Sequence, residues 1–337
     1  MVVTVIVGGF FGDCGKGKII SYLAMEDNPA ITVRGGVGPN AGHTVVFKGK
    51  SYKLRMLPSA ILNEQTKLMI GAGVIVDPQV LLNEIKIFNV DSRVMVDSQC
   101  CIIEHDHIER DKRGYLKEKI GTTGSGSGPA NSDRVLRVAK VAKDFPSLKK
   151  YLGDVAFEVN TSIDSGSDVI LEGTQGTFLS LYHGTYPFVT SKDVTASAIC
   201  SDIGIGPKKV DDVLIVFKSY VTRVGEGELP RELSGEETIK RGWAEIATVT
   251  GRARRAAPFN FEIAKRAVML NSATQIAITK LDVVFPKSYR ITRFEDLPLK
   301  AKRFIEDIEN SLKLPVSIIS TGPEVFDTID RRGSGLK

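Results

Sequence analysis

The chain has 337 residues, of which 42% are hydrophobic and 25% are charged, the usual proportions of a soluble globular protein. Its formal net charge of +5 suits an enzyme of anionic substrates, but the basic excess is too small and dispersed to indicate nucleic-acid binding. No apolar stretch is long enough to span a membrane, and four cysteines are too few for a disulfide framework, so we expect a cytoplasmic protein.

The beginning of the chain predicts a strand, a glycine-rich turn and a helix. An apolar run over residues 2–7 breaks into Gly8-Gly9-Phe10-Phe11-Gly12-Asp13-Cys14-Gly15-Lys16-Gly17-Lys18, and a helix is predicted over residues 16–26. Backbone N–H groups in such a turn point inward, and the start of the helix adds a positive dipole end, so the turn can hold phosphate. Lys16 and Lys18 would supply point charges for the same anion.

This loop departs from the usual phosphate-loop pattern in two ways. Residues 12–18 nearly meet G-x-x-x-x-G-K-[ST], but the magnesium-binding hydroxyl is missing. Asp13 places a carboxylate beside phosphates, which is unfavourable unless it holds a metal ion or takes a proton. A glycine-rich turn with solvated lysines is the alternative interpretation of the loop alone.

The rest of the chain alternates between short apolar strands and amphipathic helices. The further predicted strands are residues 31–33, 93–96, 168–173, 213–217, 275–281 and 316–319, and the further predicted helices are residues 78–88, 132–143 (with Asn131 or Ser132 as N-cap), 258–271 and 297–312. This alternation predicts an α/β fold of the phosphate-loop type, with a largely parallel central sheet and helices on both faces, in one domain over residues 1–337. Residues 121–128 and 223–255 are predicted to be long functional loops, although the composition of residues 121–128 alone would also allow a flexible linker.

A second glycine-rich turn follows the strand at residues 31–33 and contains a histidine. Residues 34–44 read Arg-Gly-Gly-Val-Gly-Pro-Asn-Ala-Gly-His-Thr, and this turn and the phosphate loop could face each other across one site from neighbouring strand ends. His43 lies among small polar residues, as a proton donor or a phosphate contact would. A structural histidine is an equally good interpretation of this segment alone.

Four further segments are candidates for recognition of a nucleotide or an acid. Residues 173–177 and 183–191 are rich in hydroxyl and amide groups that could bind a neutral ring such as a purine, although ordinary turn chemistry would give the same composition. Residues 248–255 concentrate guanidinium groups that match a carboxylate, with a solvated basic loop as the alternative. In Thr279-Lys280-Leu281-Asp282, the aspartate can accept hydrogen bonds from N1–H and the 2-amino group of guanine, which favours GTP over ATP.

Cys100, Cys101, His105 and His107 are close in the sequence but lack the paired spacing of zinc ligands. We therefore interpret them as buried thiols and a histidine that caps a helix.

Taken together, these segments resemble one family, adenylosuccinate synthetase, the GTP-dependent ligase that joins IMP to L-aspartate. The motifs that carry the resemblance run in family order along the whole chain: Gly12-Asp13-Cys14-Gly15-Lys16-Gly17-Lys18, Asn40-Ala41-Gly42-His43-Thr44, Ile120-Gly-Thr-Thr-Gly124, Glu172-Gly-Thr-Gln-Gly-Thr177, His183-Gly-Thr-Tyr-Pro-Phe-Val-Thr-Ser191, Thr222-Arg-Val-Gly225, Thr250-Gly-Arg252, Thr279-Lys-Leu-Asp282 and Ser320-Thr-Gly-Pro323.

The resemblance implies a two-step reaction. An aspartate takes the N1 proton of IMP, O6 attacks the γ-phosphate of GTP to give 6-phosphoryl-IMP, and the amine of L-aspartate then displaces phosphate. Asp13 matches the proton acceptor and a magnesium ligand, and His43 matches the acid that stabilises O6. The carbonyl of Gly42 matches the second protein ligand of one Mg²⁺ per subunit. Arg137 matches an arginine that reaches the IMP phosphate of the neighbouring subunit, which implies a homodimer.

The resemblance also implies three sets of ligand contacts. The GTP contacts are Gly12, Asp13, Cys14, Gly15, Lys16, Gly17, Lys18, Gly42, His43, Thr44, Arg254, Lys280, Leu281, Asp282, Ser320, Thr321 and Gly322. The IMP contacts are Asp13, Lys16, Asn40, Ala41, Gly42, His43, Thr123, Arg137, Gln175, Thr190 and Arg252. The L-aspartate contacts are Thr248, Val249, Thr250, Gly251, Arg252, Ala253 and Arg254.

The chain departs from the family pattern at a few positions. Cys14 stands where a glutamate is usual, and Ser125 and Ala253 each replace an arginine. The chain is also shorter than most members, so we expect a compact form of the enzyme. Two other functions are considered: a GTP-binding switch that ligates nothing, and a different GTP- or ATP-driven amide ligase on the same scaffold.

Overall fold

The computed structural model describes residues 2–246 and 251–333. Their strands are β1 (Val3–Gly8), β2 (Ile31–Arg34), β3 (His43–Phe47), β4 (Lys50–Leu54), β5 (Lys67–Ile70), β6 (Ile75–Val76), β7 (Val94–Asp97), β8 (Cys101–Ile102), β9 (Leu152–Gly153), β10 (Val169–Glu172), β11 (Asp212–Lys218), β12 (Tyr220–Arg223), β13 (Arg255–Pro258), β14 (Gln275–Thr279), β15 (Val316–Ser320) and β16 (Thr328–Asp330). Their α-helices are α1 (Lys16–Asp27), α2 (Pro78–Phe88), α3 (His105–Asp111), α4 (Ser127–Leu136), α5 (Val155–Asp164), α6 (Ala196–Ile203), α7 (Gly235–Lys240), α8 (Phe261–Asn271), α9 (Leu281–Val284) and α10 (Leu299–Leu312).

Ten of the strands form one central sheet, in the order β16-β15-β14-β11-β1-β10-β2-β5-β7-β9. Every neighbouring pair is parallel except β15 and β16 at one edge, which are antiparallel. The carboxyl ends of the parallel strands therefore lie along the same edge of the sheet, where ligand sites form in α/β proteins.

Both faces of the sheet are covered, because the strands are apolar on both sides. Val213, Ile215 and Phe217 of β11 belong to a core that includes apolar residues of α5, α6, α8 and α10. Leu214 and Val216, the alternate residues of the same strand, belong to a second core with α1 and α2. Strands that are buried on both faces read as continuous apolar runs, and this layered α/β fold confirms the predicted fold class.

Local signals explain why several predicted elements are confirmed. Helix α2 has the predicted bounds because Asp77 accepts hydrogen bonds from the N–H groups of Gln79 and Val80, and Pro78 occupies the first helical position. The other predicted strands and helix α10 are found with ends that differ by one or two residues. No helix among residues 2–246 and 251–333 is long and apolar enough to cross a membrane.

Two predicted helices are wrong in their bounds, and one predicted strand ends two residues earlier than expected. The helix predicted at residues 132–143 is α4, which starts five positions earlier at Ser127, so neither Asn131 nor Ser132 is its N-cap. Gly126, with φ of 80°, is the N-cap, because glycine adopts this left-handed conformation without strain. The predicted helix at residues 258–271 starts at Phe261, after Asn260 as its N-cap. The predicted strand at residues 275–281 ends at Thr279.

The two predicted long loops contain regular structure. Residues 127 and 128 of the first loop belong to α4. The second loop includes α7, which is capped by the Ser234 hydroxyl, and Arg255 at its end is the first residue of β13.

The two glycine-rich turns do not follow adjacent strands, contrary to the prediction, because β1 and β2 are separated by β10.

Candidate active site

A cavity of about 420 Å³ lies at the carboxyl ends of β1, β10 and β2, and we call it the central cavity. Both glycine-rich turns line it, together with parts of the segments at residues 120–128 and 186–191. Its lining includes the predicted site residues Gly12, Asp13, Cys14, Gly15, Lys16, Gly17, Asn40, Ala41, Gly42, His43, Thr44, Thr123, Gln175, Thr190 and Arg252. The fold thus brings together residues that are far apart in the sequence.

The phosphate loop has the backbone conformation that its glycines allow. Gly12 and Gly15 have φ angles of 84° and 78°, and Asp13, between them, has the unusual value of 51° for a residue with a side chain. Helix α1 begins at Lys16, whose ammonium donates a hydrogen bond of 2.5 Å to the carbonyl of Gln175. The N-terminus of this helix and an ammonium group therefore both face the central cavity, as an anion site requires.

The loop is held in place by a close backbone contact with Gly176. A Cβ atom at this position would collide with the backbone nitrogen of Gly12 and the carbonyl oxygen of Phe10. We therefore expect Gly176→Ala to displace the phosphate loop and to lower kcat/KM for GTP and IMP by about 100-fold, measured by initial rates. Gly206→Ala is the matched control, because a Cβ there has nothing within 4 Å and should leave the rates unchanged.

His43 is held by a buried network that the sequence analysis did not identify. Its Nδ1 lies 2.5 Å from Oε1 of Glu172 at the end of β10, and the Ser59 hydroxyl donates to the same carboxylate oxygen over 2.8 Å. The other oxygen of Glu172 accepts a hydrogen bond from the backbone N–H of Ser59, and Arg34 donates to Oε1 over 3.2 Å. Arg34 and Glu172 are fully buried, so the positive charge of one balances the negative charge of the other.

This network sets the protonation of His43. Burial lowers the pKa of His43 to about 4, an effect that Arg34 increases and Glu172 opposes. Burial alone would raise the pKa of Glu172, but His43 and Arg34 more than offset this, so its pKa lies below the ordinary value. An ionised carboxylate can only accept hydrogen bonds, so Nδ1 carries the proton of the neutral imidazole. Nε2 is then the ring nitrogen that remains available to a ligand in the central cavity.

Asp13 pairs with an arginine from the basic segment. Arg254 donates to Oδ1 of Asp13 over 2.8 Å and also contacts Glu245. Glu245 in turn accepts from the ammonium of Lys218 over 3.0 Å. Burial would raise the pKa of Glu245, but Lys218 and the other cations around it hold that pKa at about 2. Arg254, predicted to contact GTP and L-aspartate, is thus placed beside the carboxylate predicted to act on IMP.

The predicted guanine-recognition residues lie at the ends of two adjacent strands, outside the lining of the central cavity. Lys280, Leu281 and Asp282 follow β14, and Ser320, Thr321 and Gly322 are at the end of β15, which pairs with β14. The Thr279 hydroxyl donates a 2.7 Å hydrogen bond to the carbonyl of Cys14. This bond ties the end of β14 to the phosphate loop.

Lys18 does not point toward the central cavity, contrary to the prediction that it contacts the same anion as Lys16. Its buried ammonium donates to the Ser320 hydroxyl and to the carbonyls of Gly322 and Asp327, over 2.6, 2.6 and 2.7 Å. Burial lowers the pKa of Lys18 to about 7, although Asp327 and Asp282 act in the opposite direction.

The part of the cavity predicted to hold a purine contains polar atoms without partners. Asn40 donates to the Thr190 hydroxyl over 3.3 Å. Its Oδ1 and the Oε1 of Gln175 are buried and have no hydrogen-bond partner among the described residues. Because such atoms are costly unless satisfied, they indicate a polar ligand in the cavity. Arg223, which belongs to the motif Thr222-Arg-Val-Gly225 but was given no role from the sequence, fixes the nearby segment by donating to the Thr185 hydroxyl and the Phe188 carbonyl, each over 2.9 Å.

The remaining predicted site residues lie outside this arrangement. Arg137 is exposed at the end of α4 and does not line the cavity, and Gly251 and Ala253 do not line it either. Thr248, Val249 and Thr250 lie outside the described residues. The thiols of Cys100 and Cys101 are buried, and His107 caps α3 by accepting from the backbone N–H of Glu104 over 2.9 Å, both as predicted.

The fold and the central cavity define a nucleotide-binding α/β enzyme built around a phosphate loop. The sequence model of the family described as adenylosuccinate synthetase matches residues 5–147 and 138–289. The adenylosuccinate synthetase of Methanocaldococcus jannaschii is 56% identical, over 98% of this chain and 96% of its own length. That of Archaeoglobus fulgidus is 54% identical over the whole of both chains. The chain belongs to the adenylosuccinate synthetase family.

Solved structures agree with this assignment. The fully ligated adenylosuccinate synthetase from Plasmodium falciparum superposes with a TM-score of 0.93 at 26% identity, covering 98% of this chain and 100% of that chain. A succinoaminodeoxyadenylate synthetase of cyanophage S-2L, bound to dGMP and dATP, superposes with a TM-score of 0.83 at 24% identity, over 98% and 95% of the two chains. The second likeness shows the fold alone.

Proposed function

We propose that the chain ligates L-aspartate to IMP at the expense of GTP, giving adenylosuccinate, GDP and phosphate through 6-phosphoryl-IMP, the first step from IMP toward AMP. The observation that carries the proposed mechanism is that Asp13, from the phosphate loop, and His43, fixed by Glu172, line the same cavity from two different segments. One cavity then holds a carboxylate, an imidazole and an ammonium, the groups that phosphoryl transfer to a purine oxygen needs.

In the first step, the Asp13 carboxylate takes the proton from N1 of IMP, and the electron pair of that bond moves to O6. O6 then attacks the γ-phosphorus of GTP, and the bond from that phosphorus to the β–γ bridging oxygen breaks to release GDP. His43 lines the cavity, and as an imidazolium, the form that the negative charge of Glu172 favours, it would donate from Nε2–H to O6 and the transferring phosphoryl group while Nδ1–H stays on Glu172. Lys16 and the backbone N–H groups of the loop neutralise phosphate charge.

Asp13 must leave Arg254 before it can act as a base. The 2.8 Å ion pair between them engages Oδ1 of Asp13. An incoming triphosphate offers Arg254 another anion, so nucleotide binding and release of Asp13 are coupled in this proposal.

The residues at this end of the cavity fit one Mg²⁺ ion. Asp13 and Gly42 both line the cavity, and the carboxylate of the first and the carbonyl of the second would supply the hard oxygen ligands that magnesium prefers, with phosphate and water completing the shell. When bound, Mg²⁺ would neutralise charge on the β- and γ-phosphates.

In the second step, the amine of L-aspartate attacks C6 and phosphate leaves with the former O6. Residues 248–254, with the guanidinium groups of Arg252 and Arg254, would hold the carboxylates of L-aspartate. Thr123, Gln175, Thr190 and Arg252 would contact IMP, and the unsatisfied Oε1 of Gln175 supports this assignment.

A direct test separates this ligase from a GTP-binding switch and from another amide ligase. We expect phosphate release from GTP only when IMP and L-aspartate are both present, in amounts equal to the adenylosuccinate formed. Steady release of phosphate from GTP alone would favour a switch, and release with a different amine acceptor would favour another ligase.

We also propose that the enzyme works as a homodimer in which Arg137 completes the neighbouring site. Arg137 ends α4 with a φ of 66° and is exposed. Val135, Leu136 and Val138 beside it are 65–70% exposed, an apolar surface suited to a second copy of the chain.

Arg137→Leu is expected to raise KM for IMP by about 10-fold or more, since it removes a phosphate contact. Arg303→Leu, which removes an exposed arginine from α10, should leave KM unchanged. Sedimentation with and without IMP measures the dimer, and a wild-type chain that stays monomeric with IMP would contradict the shared site.

Two further proposals concern the chain as a whole. Strands from both ends of the chain, β1 and β16, belong to one sheet, which supports a single domain over residues 1–337. All four cysteines are free thiols, which supports a reducing, cytoplasmic location.

A further inference from the structure

Lys18 occupies the position of the lysine that reaches the phosphates in the pattern G-x-x-x-x-G-K, yet its ammonium binds elsewhere. It lies in the first turn of α1 and is only 6% exposed. Its three hydrogen bonds all go to the segment at residues 320–327, which we call the 320s turn. An ammonium has three donors, so all of them are used in this one place.

The position of Lys18 is unfavourable for the free energy of folding, which indicates a specific role for this side chain. A cation in the first turn of a helix opposes the helix dipole, and a buried ammonium loses its hydration. Its three acceptors are neutral oxygens. Among the described residues, no carboxylate at hydrogen-bond distance offsets this cost, whereas Glu172 does so for Arg34. Helix stability alone would therefore favour a neutral residue at this position.

The ammonium organises the 320s turn from inside. The Ser320 hydroxyl and the carbonyls of Gly322 and Asp327 converge on it, and the backbone N–H of Thr321 donates to the carbonyl of Asp327 over 2.9 Å. A Cβ at Gly322 would collide with the Asp327 side chain, so the turn is tightly closed. Without the ammonium, buried acceptor oxygens would lose a donor, and the turn would have to rearrange.

The 320s turn lies beside the proposed guanine contacts. Ser320 ends β15, which pairs with β14, and the proposed guanine contacts Lys280 and Asp282 follow the end of β14. Lys16 and Gly17 line the central cavity, whereas Lys18 does not. The ammonium groups of two lysines in one loop thus lie in different places, that of Lys16 at the central cavity and that of Lys18 in the 320s turn.

We infer that Lys18 is a positioning residue, which fixes the 320s turn against the phosphate loop and thereby sets the preference of the site for guanine. This inference rests on the proposed use of GTP and on the proposed guanine contacts. Its consequence is that phosphate binding and base recognition are connected through one side chain on α1.

The test compares GTP, ITP and ATP as phosphoryl donors for wild type and Lys18→Met at saturating IMP and L-aspartate. We expect KM for GTP to rise by about 10- to 100-fold, and the preference for GTP over ATP in kcat/KM to fall by a similar factor. KM for IMP should stay within about twofold, since the groups around the central cavity are untouched. Lys18→Gln, which keeps two N–H donors, should show a smaller loss of the same kind.

The outcomes separate this inference from its alternatives. If Lys18 bound phosphate directly, all three triphosphates would lose the same factor and the preference for guanine would not change, which would overturn the inference. A wild-type enzyme that does not prefer GTP would overturn the proposed nucleotide instead, and the inference with it. If Lys18→Met does not fold, Lys18→Gln decides the question through the same two comparisons with wild type, namely KM for GTP and the preference for GTP over ATP in kcat/KM.

Tyr22→Phe is the matched control for this experiment. Tyr22 lies on the same helix and donates a 3.3 Å hydrogen bond to Asp330, just beyond the 320s turn. Its loss should leave both the KM for GTP and the base preference within about twofold of wild type. A loss of guanine preference in Tyr22→Phe equal to that in Lys18→Met would assign the effect to general loosening of α1.

Discussion

Asp13→Asn is expected to lower kcat by about 10²- to 10⁴-fold, the usual contribution of a general base. The amide keeps the shape of the side chain and can still accept a hydrogen bond from Arg254, but it cannot take the N1 proton of IMP. It is also a poorer ligand for Mg²⁺ than a carboxylate. The loss should therefore appear in kcat at saturating substrates, measured by initial rates of adenylosuccinate formation.

The control for this variant is Asp27→Asn. Asp27 is the last residue of α1, the helix that follows the phosphate loop, and its partly exposed carboxylate pairs with Arg332 over 2.6 Å. Its loss should leave kcat unchanged, because surface pairs contribute little and this one is far from the cavity. A kcat for Asp13→Asn close to that of Asp27→Asn would remove Asp13 from the proposed chemistry.

Glu172→Gln is expected to lower kcat by a comparable factor, about 10²- to 10⁴-fold, without contacting either substrate. Glu172 accepts a hydrogen bond from Nδ1–H of His43 and so fixes both the tautomer and the orientation of the ring. An amide carries no charge, so it would no longer favour the imidazolium form of His43 that donates to O6. The KM values for IMP and GTP should change much less than kcat, which identifies a positioning role.

The same variant should move the titration of His43 in a defined direction. The carboxylate of Glu172 opposes the fall in the pKa of His43 that burial and Arg34 cause. Removing this negative charge takes away the group that favours the imidazolium, so the pKa of His43 should fall below its value of about 4. Histidine chemical shifts followed against pH would measure this change, and an upward shift would contradict the assignment.

Loss of stability must be separated from loss of positioning in this experiment. Breaking a buried ion pair costs about 3–5 kcal/mol, and Arg34 would lose its charged partner. Glu84→Gln provides the control, because Glu84 is also buried and accepts the backbone N–H groups of Arg55, Met56 and Leu57. We expect Glu84→Gln to lower the melting temperature while kcat is retained. Equal losses of kcat in both variants would indicate that Glu172 has only a structural role.

Much of the fold could be predicted because local signals and tertiary packing agree. The apolar runs of β1, β10 and β11 are buried on both faces, so their composition alone indicates central parallel strands. The hairpin of β3 and β4 was missed for the opposite reason. It lies outside the central sheet, and Lys50, Ser51 and Lys53 make β4 mostly polar and exposed.

Those parts of the candidate site that lie within one continuous segment of the sequence could be predicted. The phosphate loop and the histidine turn are continuous in the sequence, and the structure places both at one cavity. The partners of these residues could not be predicted, because they come from distant segments. Glu172 is 129 residues from His43, and the hydrogen bond from Lys18 to Ser320 spans 302 residues. Two signals for Glu172 were available, its place at the end of an apolar strand and its place at the start of the motif Glu172-Gly-Thr-Gln-Gly-Thr177, but neither indicates a contact with His43.

The direction of the Lys18 side chain shows the limit of motif analysis. Its spacing from the glycines is that of a phosphate-binding lysine, but three acceptors in the 320s turn determine where the ammonium lies. A motif specifies a backbone conformation, whereas the direction of a long side chain depends on the tertiary contacts around it.

An isotope experiment tests the central claim most directly, namely that the purine oxygen itself is phosphorylated. IMP carrying ¹⁸O at C6 is incubated with GTP, L-aspartate and the enzyme, and the released phosphate is analysed by mass spectrometry. We predict that the label appears in the phosphate, one atom for each adenylosuccinate formed. Label that appears in water, with unlabelled phosphate, would contradict the phosphoryl-IMP mechanism and the roles proposed for Asp13 and His43.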